Sequence, residues 1–103
     1  MASSYNPPYR GREFQTRISL HDMNISGSFK SSPTISSGDF KIDIDGGGLT
    51  NIASLPSVNP SSSILVLLIV SSTEMNGKTV SVVGVDQTSP KEWSDFVLVI
   101  PTA

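Results

Sequence analysis

The patterned part of the chain opens with an alternation. Phe14, Thr16, Ile18 and Leu20 share one side of an extended backbone and Gln15, Arg17, Ser19 and His21 the other, which predicts a half-buried strand. Met23, Ile25, Gly27 and Phe29 continue the alternation as a second stretch, set off by a turn at His21-Asp22 and stopped at Ser31-Ser32-Pro33. The clearest strand signal follows, with Phe40, Ile42 and Ile44 alternating with Lys41, Asp43 and Asp45 until Gly46-Gly47-Gly48 ends it in a flexible hairpin loop. Residues 49–62, with Leu49, Ile52, Leu55 and Val58 spaced among serines and prolines, predict a short edge piece and a loop. Ile64 to Val70 is an unbroken apolar run rich in β-branched residues, so a central strand buried on both faces is expected.

Ser72 to Gly77 predicts a single turn, with Ser72 or Thr73 as its cap and a positive φ at Gly77. Thr79 to Asp86 predicts another strand whose valines fill both faces around Gly84. A proline turn over 87–91 and a last strand from Trp93 to Ile100 complete the pattern. Six or seven strands at this spacing, with no helical periodicity, give an all-β class: a small antiparallel β-sandwich or barrel of Ig-like size. Such a body occupies residues 14–103, and its outer strands need something to close their edges.

Composition narrows the means of stabilisation. The 103 residues suffice for one core, which at this size hides roughly 60–70% of the unfolded chain's surface. Cysteine is absent, so neither a disulfide nor a thiolate metal site holds the fold, and packing or association must do so. Charged residues are only 16% of the chain and the net charge is −2, with the basic residues scattered, so no nucleic-acid partner is expected. The seven-residue apolar run is far below the roughly 20 residues a bilayer span needs, and the first residues lack the pattern of a secretory signal. The protein is therefore expected on the cytoplasmic side of its producing cell, with no membrane partner.

Candidate chemistry is thin. Gly77-Lys78-Thr79 has the ending of a phosphate-binding loop, but that motif needs glycine at position 72, which is serine, and a following helix, where valines predict a strand. Asp43 and Asp45 beside three glycines have some likeness to a calcium loop, without the bidentate glutamate downstream. His21 and Asp22 are adjacent and so point to opposite faces, a poor arrangement for activating a serine, and no nucleophile elbow is present. Asn24-Ile25-Ser26 fits a glycosylation acceptor, which carries little meaning without a secretory signal. Trp93 either seals the end of the core or offers its ring to a sugar. The expectation is no enzyme, no cofactor and no metal.

Residues 1–13 read as an extended arm, with a Pro-Pro step, Tyr5, Tyr9, Arg10 and Arg12 and no periodicity. By itself such an arm has little to order it, and a neighbouring subunit is the expected agent. Residues 1–20 hold three arginines against one acid, while the remainder holds four lysines against eight acids. A basic arm on an acidic body suits docking to an acidic partner surface.

Several short motifs occur in a recognisable order: Gly38-Asp39-Phe40, Asp45-Gly46-Gly47, Leu55-Pro56, Ser72-Thr73-Glu74-Met75, Val85-Asp86 and Glu92-Trp93-Ser94-Asp95. In order and spacing they resemble a set of short virion structural proteins of tailed bacteriophages, over about residues 14–102. The resemblance implies a small, non-catalytic β-sandwich that works by attachment to other virion proteins. Capsid decoration or cement proteins are the first expectation, with adaptors of the tail, baseplate or fibre as the alternative and a glycan-binding module as a second one. It further implies location in the virion after assembly in the host cytoplasm. The expected partners are a major capsid protein or neighbouring subunits of a homo-oligomer such as a trimer. Contact is expected through Tyr5, Tyr9, Arg10 and Arg12, with Glu74, Asp86 and Asp95 closing turns and Trp93 packing over the core's end.

Overall fold

The computed structural model describes residues 7–103, and strands form where an alternating stretch finds a neighbour to pair with. There are seven: β1 (Phe14–Ile18), β2 (Phe40–Ile44), β3 (Thr50–Asn51), β4 (Ser57–Val58), β5 (Val66–Val70), β6 (Thr79–Gly84) and β7 (Phe96–Pro101). No helix occurs among the described residues. All pairing is antiparallel, in a three-stranded sheet of order β1-β5-β4 and a four-stranded sheet of order β3-β2-β6-β7. The all-β sandwich expected from the sequence is therefore what forms.

Period-two burial explains the core. Ile18 of β1, Val66, Leu68 and Val70 of β5, Phe40 and Ile42 of β2, Val80 and Val82 of β6 and Ile100 of β7 all lie in the buried cluster. Leu20, Met75 and Trp93 close it from the loops. Trp93 is fully buried, donates its indole N–H to the Thr34 carbonyl at 3.1 Å, and lies 5.5 Å from the Phe40 ring. Burying so large a ring while its one polar atom finds a partner is how tryptophan stabilises a small core. Gly84 faces Phe40 across the β2–β6 ladder, where an added Cβ would come within 2.8 Å of the phenylalanine ring.

Five expectations need correction. Residues 23–29 are not a strand, because the chain folds back on itself there: Asp22 donates to the Ser28 carbonyl, Ser28 donates to Ile25 and His21 bridges Phe29, which leaves Met23, Ile25 and Phe29 exposed. The apolar run from Ile64 enters a strand only at Val66, and Leu67 and Ile69 are half-buried, since only one face of β5 meets the opposite sheet. Val83 and Val85 are likewise half-buried on the outer side. The last strand begins at Phe96 rather than Trp93, whose backbone is taken by an isolated bridge to Asp22. Gly77 does not adopt a positive φ; it is needed for space, because a Cβ there would come within 2.5 Å of the Ile44 side chain.

The start of the described chain is not free of the body. Ala103 donates its amide to the Pro8 carbonyl at 2.9 Å, Arg10 donates to the Ala103 carbonyl at 3.1 Å, and Gly11 donates to the Met75 carbonyl at 3.0 Å. Residues 8–11 are thus strapped across the end of the sandwich by its own backbone, with no second subunit involved in those bonds.

Candidate partner-binding surface

The strap fixes where three of the four expected contact residues stand. Tyr9 is 43% exposed, and the Arg12 guanidinium lies over its ring at 5.7 Å, a cation–π arrangement that holds both side chains on the surface. The Arg12 amide donates to the Tyr9 carbonyl at 3.2 Å, so a tight turn brings the two together. The pair borders a groove of about 470 Å³ lined by Pro7, Tyr9, Arg12, Glu13, Phe14 and Gln15 and another of about 360 Å³ lined by Tyr9, Arg10, Arg12 and Ala103. Tyr5 lies outside the described residues.

Among the described residues, the guanidiniums of Arg10 and Arg12 make no ion pair, and the one salt bridge joins Lys91 to Asp95 at 3.2 Å. Arg17 differs, because its side chain reaches the Asn59 carbonyl at 3.3 Å. The structure therefore separates the three arginines that sequence grouped together. Arg17 serves the fold, while Arg10 and Arg12 present charge outward.

The acids behave in the opposite way. Asp39 is 1% exposed and accepts the amides of Ser36 and Gln87 at 2.8 and 3.1 Å. Asp43 accepts those of Gly46 and Gly48, so the glycine loop is clasped at its base. Asp45 Oδ1 accepts both Lys78 and Thr79, which explains why Lys78 begins β6 so close to the β2–β3 turn. Glu74 accepts Ser71 at 3.0 Å and, across 21 residues, Ala53 at 2.9 Å. In return the Glu74 amide donates to the Ser71 Oγ at 3.2 Å, so Ser71, not Ser72 or Thr73, is the cap.

Asp86 receives the Thr88 hydroxyl and amide and the Glu92 amide at 2.6, 2.9 and 2.7 Å. Burial disfavours its charged form, yet the hydrogen bonds from Thr88, Glu92 and Trp93 outweigh that and hold its carboxyl below the usual carboxylate range. Asp95 is the exception, pairing with Lys91 and capping no turn.

The Asp43 and Asp45 carboxylates are occupied by backbone amides, and no group of three or more His, Cys, Asp or Glu side chains suited to a metal occurs among the described residues. Trp93 offers no ring face to a sugar. His21 stacks on Phe29 at 5.0 Å between ring centroids, and the neighbouring Asp22 accepts the Asn24 amide. No helix is long and apolar enough to cross a membrane among the residues described.

Two apolar surfaces had no signal in the sequence. One is the loop carrying Met23, Ile25 and Phe29; the other is the outer side of β7, where Val97 and Val99 are 63% and 55% exposed. Alternation predicts which residues share a face, but it cannot say which face lacks a covering layer.

No protein-family model matches the chain, and neither the curated proteins nor the solved structures give a match.

Proposed function

We propose that this chain is a non-catalytic structural component of a tailed-bacteriophage virion, a capsid decoration or cement protein that attaches to the shell through the strapped segment around Tyr9, Arg10 and Arg12. The observation that carries the reading is the contrast in side-chain use: two arginines stand without an ion-pair partner among the described residues, beside an exposed tyrosine, on a body whose carboxylates are turned onto its own amides. Arginine and tyrosine in a fixed arrangement are the side chains that most often anchor protein interfaces, and unpaired guanidiniums suit an acidic surface. The order of motifs from Gly38-Asp39-Phe40 to Glu92-Trp93-Ser94-Asp95 supports the virion assignment. In this reading the body is a spacer and the strap is the adhesive, with several copies bound around each capsomer.

Reversing both charges, Arg10→Glu with Arg12→Glu, tests the surface without removing the strap's backbone bonds. Occupancy on purified capsids lacking the protein is expected to fall to background, in a salt-sensitive manner for the wild type. Equal occupancy of the variant would overturn the proposal, and binding to isolated tails in place of heads would move the assignment to a tail adaptor.

A further inference from the structure

The four outermost strands of the two sheets are β1, β4, β3 and β7, and they differ in what they offer another chain. β3 and β4 have two residues each, too short to template a further strand. β1 carries a charge, Arg17, whose side chain is bonded to Asn59. β7 has six residues and no charge, and β6 beside it has none either. On the outer face of that pair Val97 stands opposite Val83 and Val99 opposite Ser81, and both β7 valines are exposed.

The backbone groups of β7 have a definite arrangement. Thr102 donates to the Lys78 carbonyl on the β6 side, and in antiparallel pairing alternate residues turn their N–H and C=O groups to opposite edges. Phe96, Leu98 and Ile100 therefore bond to β6, while Val97, Val99 and Ala103 turn their groups to the other edge. Pro101 turns a carbonyl outward but has no N–H. Ala103 is taken, since it donates to Pro8 and accepts from Arg10. Among the described residues nothing accepts the amides of Val97 and Val99. Pro7 lines a groove with Glu13, Phe14 and Gln15 and with no residue of β7, so the described strap closes the end of this edge at Ala103 and stops there.

We propose that the edge of β7 is a self-association site whose occupant is β7 of a second copy, added antiparallel across a two-fold axis at Leu98. A two-fold axis brings the same patch of both copies together, so a strand adds to itself only where its outward groups match in reverse. Three registers set outward residues opposite one another along this strand. With the axis at Val99, Val97 meets Pro101, which has no N–H to return, and the next rung falls on Ala103, already bonded to the strap. With the axis at Val97, Val99 meets Asp95, which lies outside the strand and carries a charge. With the axis at Leu98, Val97 of each copy meets Val99 of the other and exchanges both bonds, so all the free amides of the two strands are satisfied. The same register gathers the valine side chains of both copies on the outer face, with no charge on β6 or β7 to be brought against its own image. The two four-stranded sheets then run on as one, with β7 at its centre. An edge of six residues is smaller than the roughly 800 Å² per partner of a standard interface, so the dimer is reversible, with a dissociation constant on the order of 0.1 mM. The inference concerns the isolated protein and does not depend on the virion reading.

Sedimentation of the full chain from about 10 µM to about 1 mM is the test, with two variants chosen for the register. The wild type is expected to pass from monomer to dimer over that range. Val97→Lys with Val99→Lys sets like charges across the axis and is expected to weaken the dimer at least about tenfold, at an unchanged thermal midpoint because both side chains are exposed. Val97→Lys with Val99→Glu sets opposite charges across the axis at Leu98 and like charges across one at Val97 or Val99, so it is expected to dimerise at least as well as the wild type. A wild type that stays monomeric to about 1 mM, or assembles to any mass other than a dimer, overturns the proposal. So does a double-lysine variant that dimerises like the wild type, or a mixed-charge variant as weak as the double-lysine one.

Discussion

Two regions of this molecule carry most of its charge and use it in opposite directions. In the body, Asp22, Asp39, Asp43, Asp45, Glu74, Asp86 and Glu92 each accept a backbone amide of a turn or loop. In the strap, Arg10 and Arg12 make no such internal bond among the described residues, and Arg12 is held only against the Tyr9 ring. A small domain without disulfides has few ways to fix long irregular connections, and a carboxylate that gathers two or three amides is a strong one. Asp39, Glu74 and Asp86 are buried fastenings, while Asp22, Asp43, Asp45 and Glu92 fasten loops from more accessible positions. What the strap offers a partner to read is basic.

The comparison can be broken at either end. Glu74→Ala should have the largest effect, about 2–3 kcal/mol by urea unfolding, since it removes a buried carboxylate that the amides of Ser71 and Ala53 donate to and releases a connection spanning 21 residues.

Asp86→Asn should cost about 1–2 kcal/mol at neutral pH, because a neutral amide replaces a charged acceptor of three donors. Its pH dependence is more telling. The folded pKa of Asp86 lies below its unfolded value, so its stabilisation is fully present above the ordinary carboxylate pKa and is lost as pH falls through the depressed one. The wild type should therefore lose stability between about pH 4 and lower pH more steeply than Asp86→Asn; parallel acid limbs would show that the clasp is not electrostatic.

Asp95→Ala, in contrast, should leave the urea midpoint within error, because an exposed pair with Lys91 anchors no backbone. A loss comparable to that of Asp86→Asn would erase the distinction between fastening acids and surface acids. The smallest change in stability is expected for Arg10→Glu with Arg12→Glu, whose thermal midpoint should match the wild type even as capsid occupancy disappears. A drop in midpoint would mean that the guanidiniums serve the fold, as Arg17 does.

The role of Glu74 was readable in the chain, since Ser71-Ser72-Thr73-Glu74 has the spacing of a reciprocal cap, although the serine one place later looks equally suitable. The roles of Asp39 and Asp45 were not. Asp39 has one local donor in Ser36, but its other donor and those of Asp45 lie 48 and up to 34 residues away, beyond the reach of local pattern. Residues 23–29 show the same limit from the other side. Their alternation is as regular as that of β1, but the chain folds back on itself between His21 and Phe29, so no continuous ladder forms there.

By itself the sequence determined the class of the fold, because period-two alternation and turn residues are local properties of the chain that leave little room for helix. It also determined the inward faces of β1 and β2, and the burial of Trp93 as one of two readings. Only the tertiary structure decided which strands were left at an edge, which acids were consumed by distant amides and which arginines remained unpaired among the described residues. Those outcomes depend on what stands opposite each side chain after the two sheets meet. Long-range pairing, not residue type, turned an acidic body with a basic arm into a fastened sandwich whose strap presents Arg10 and Arg12.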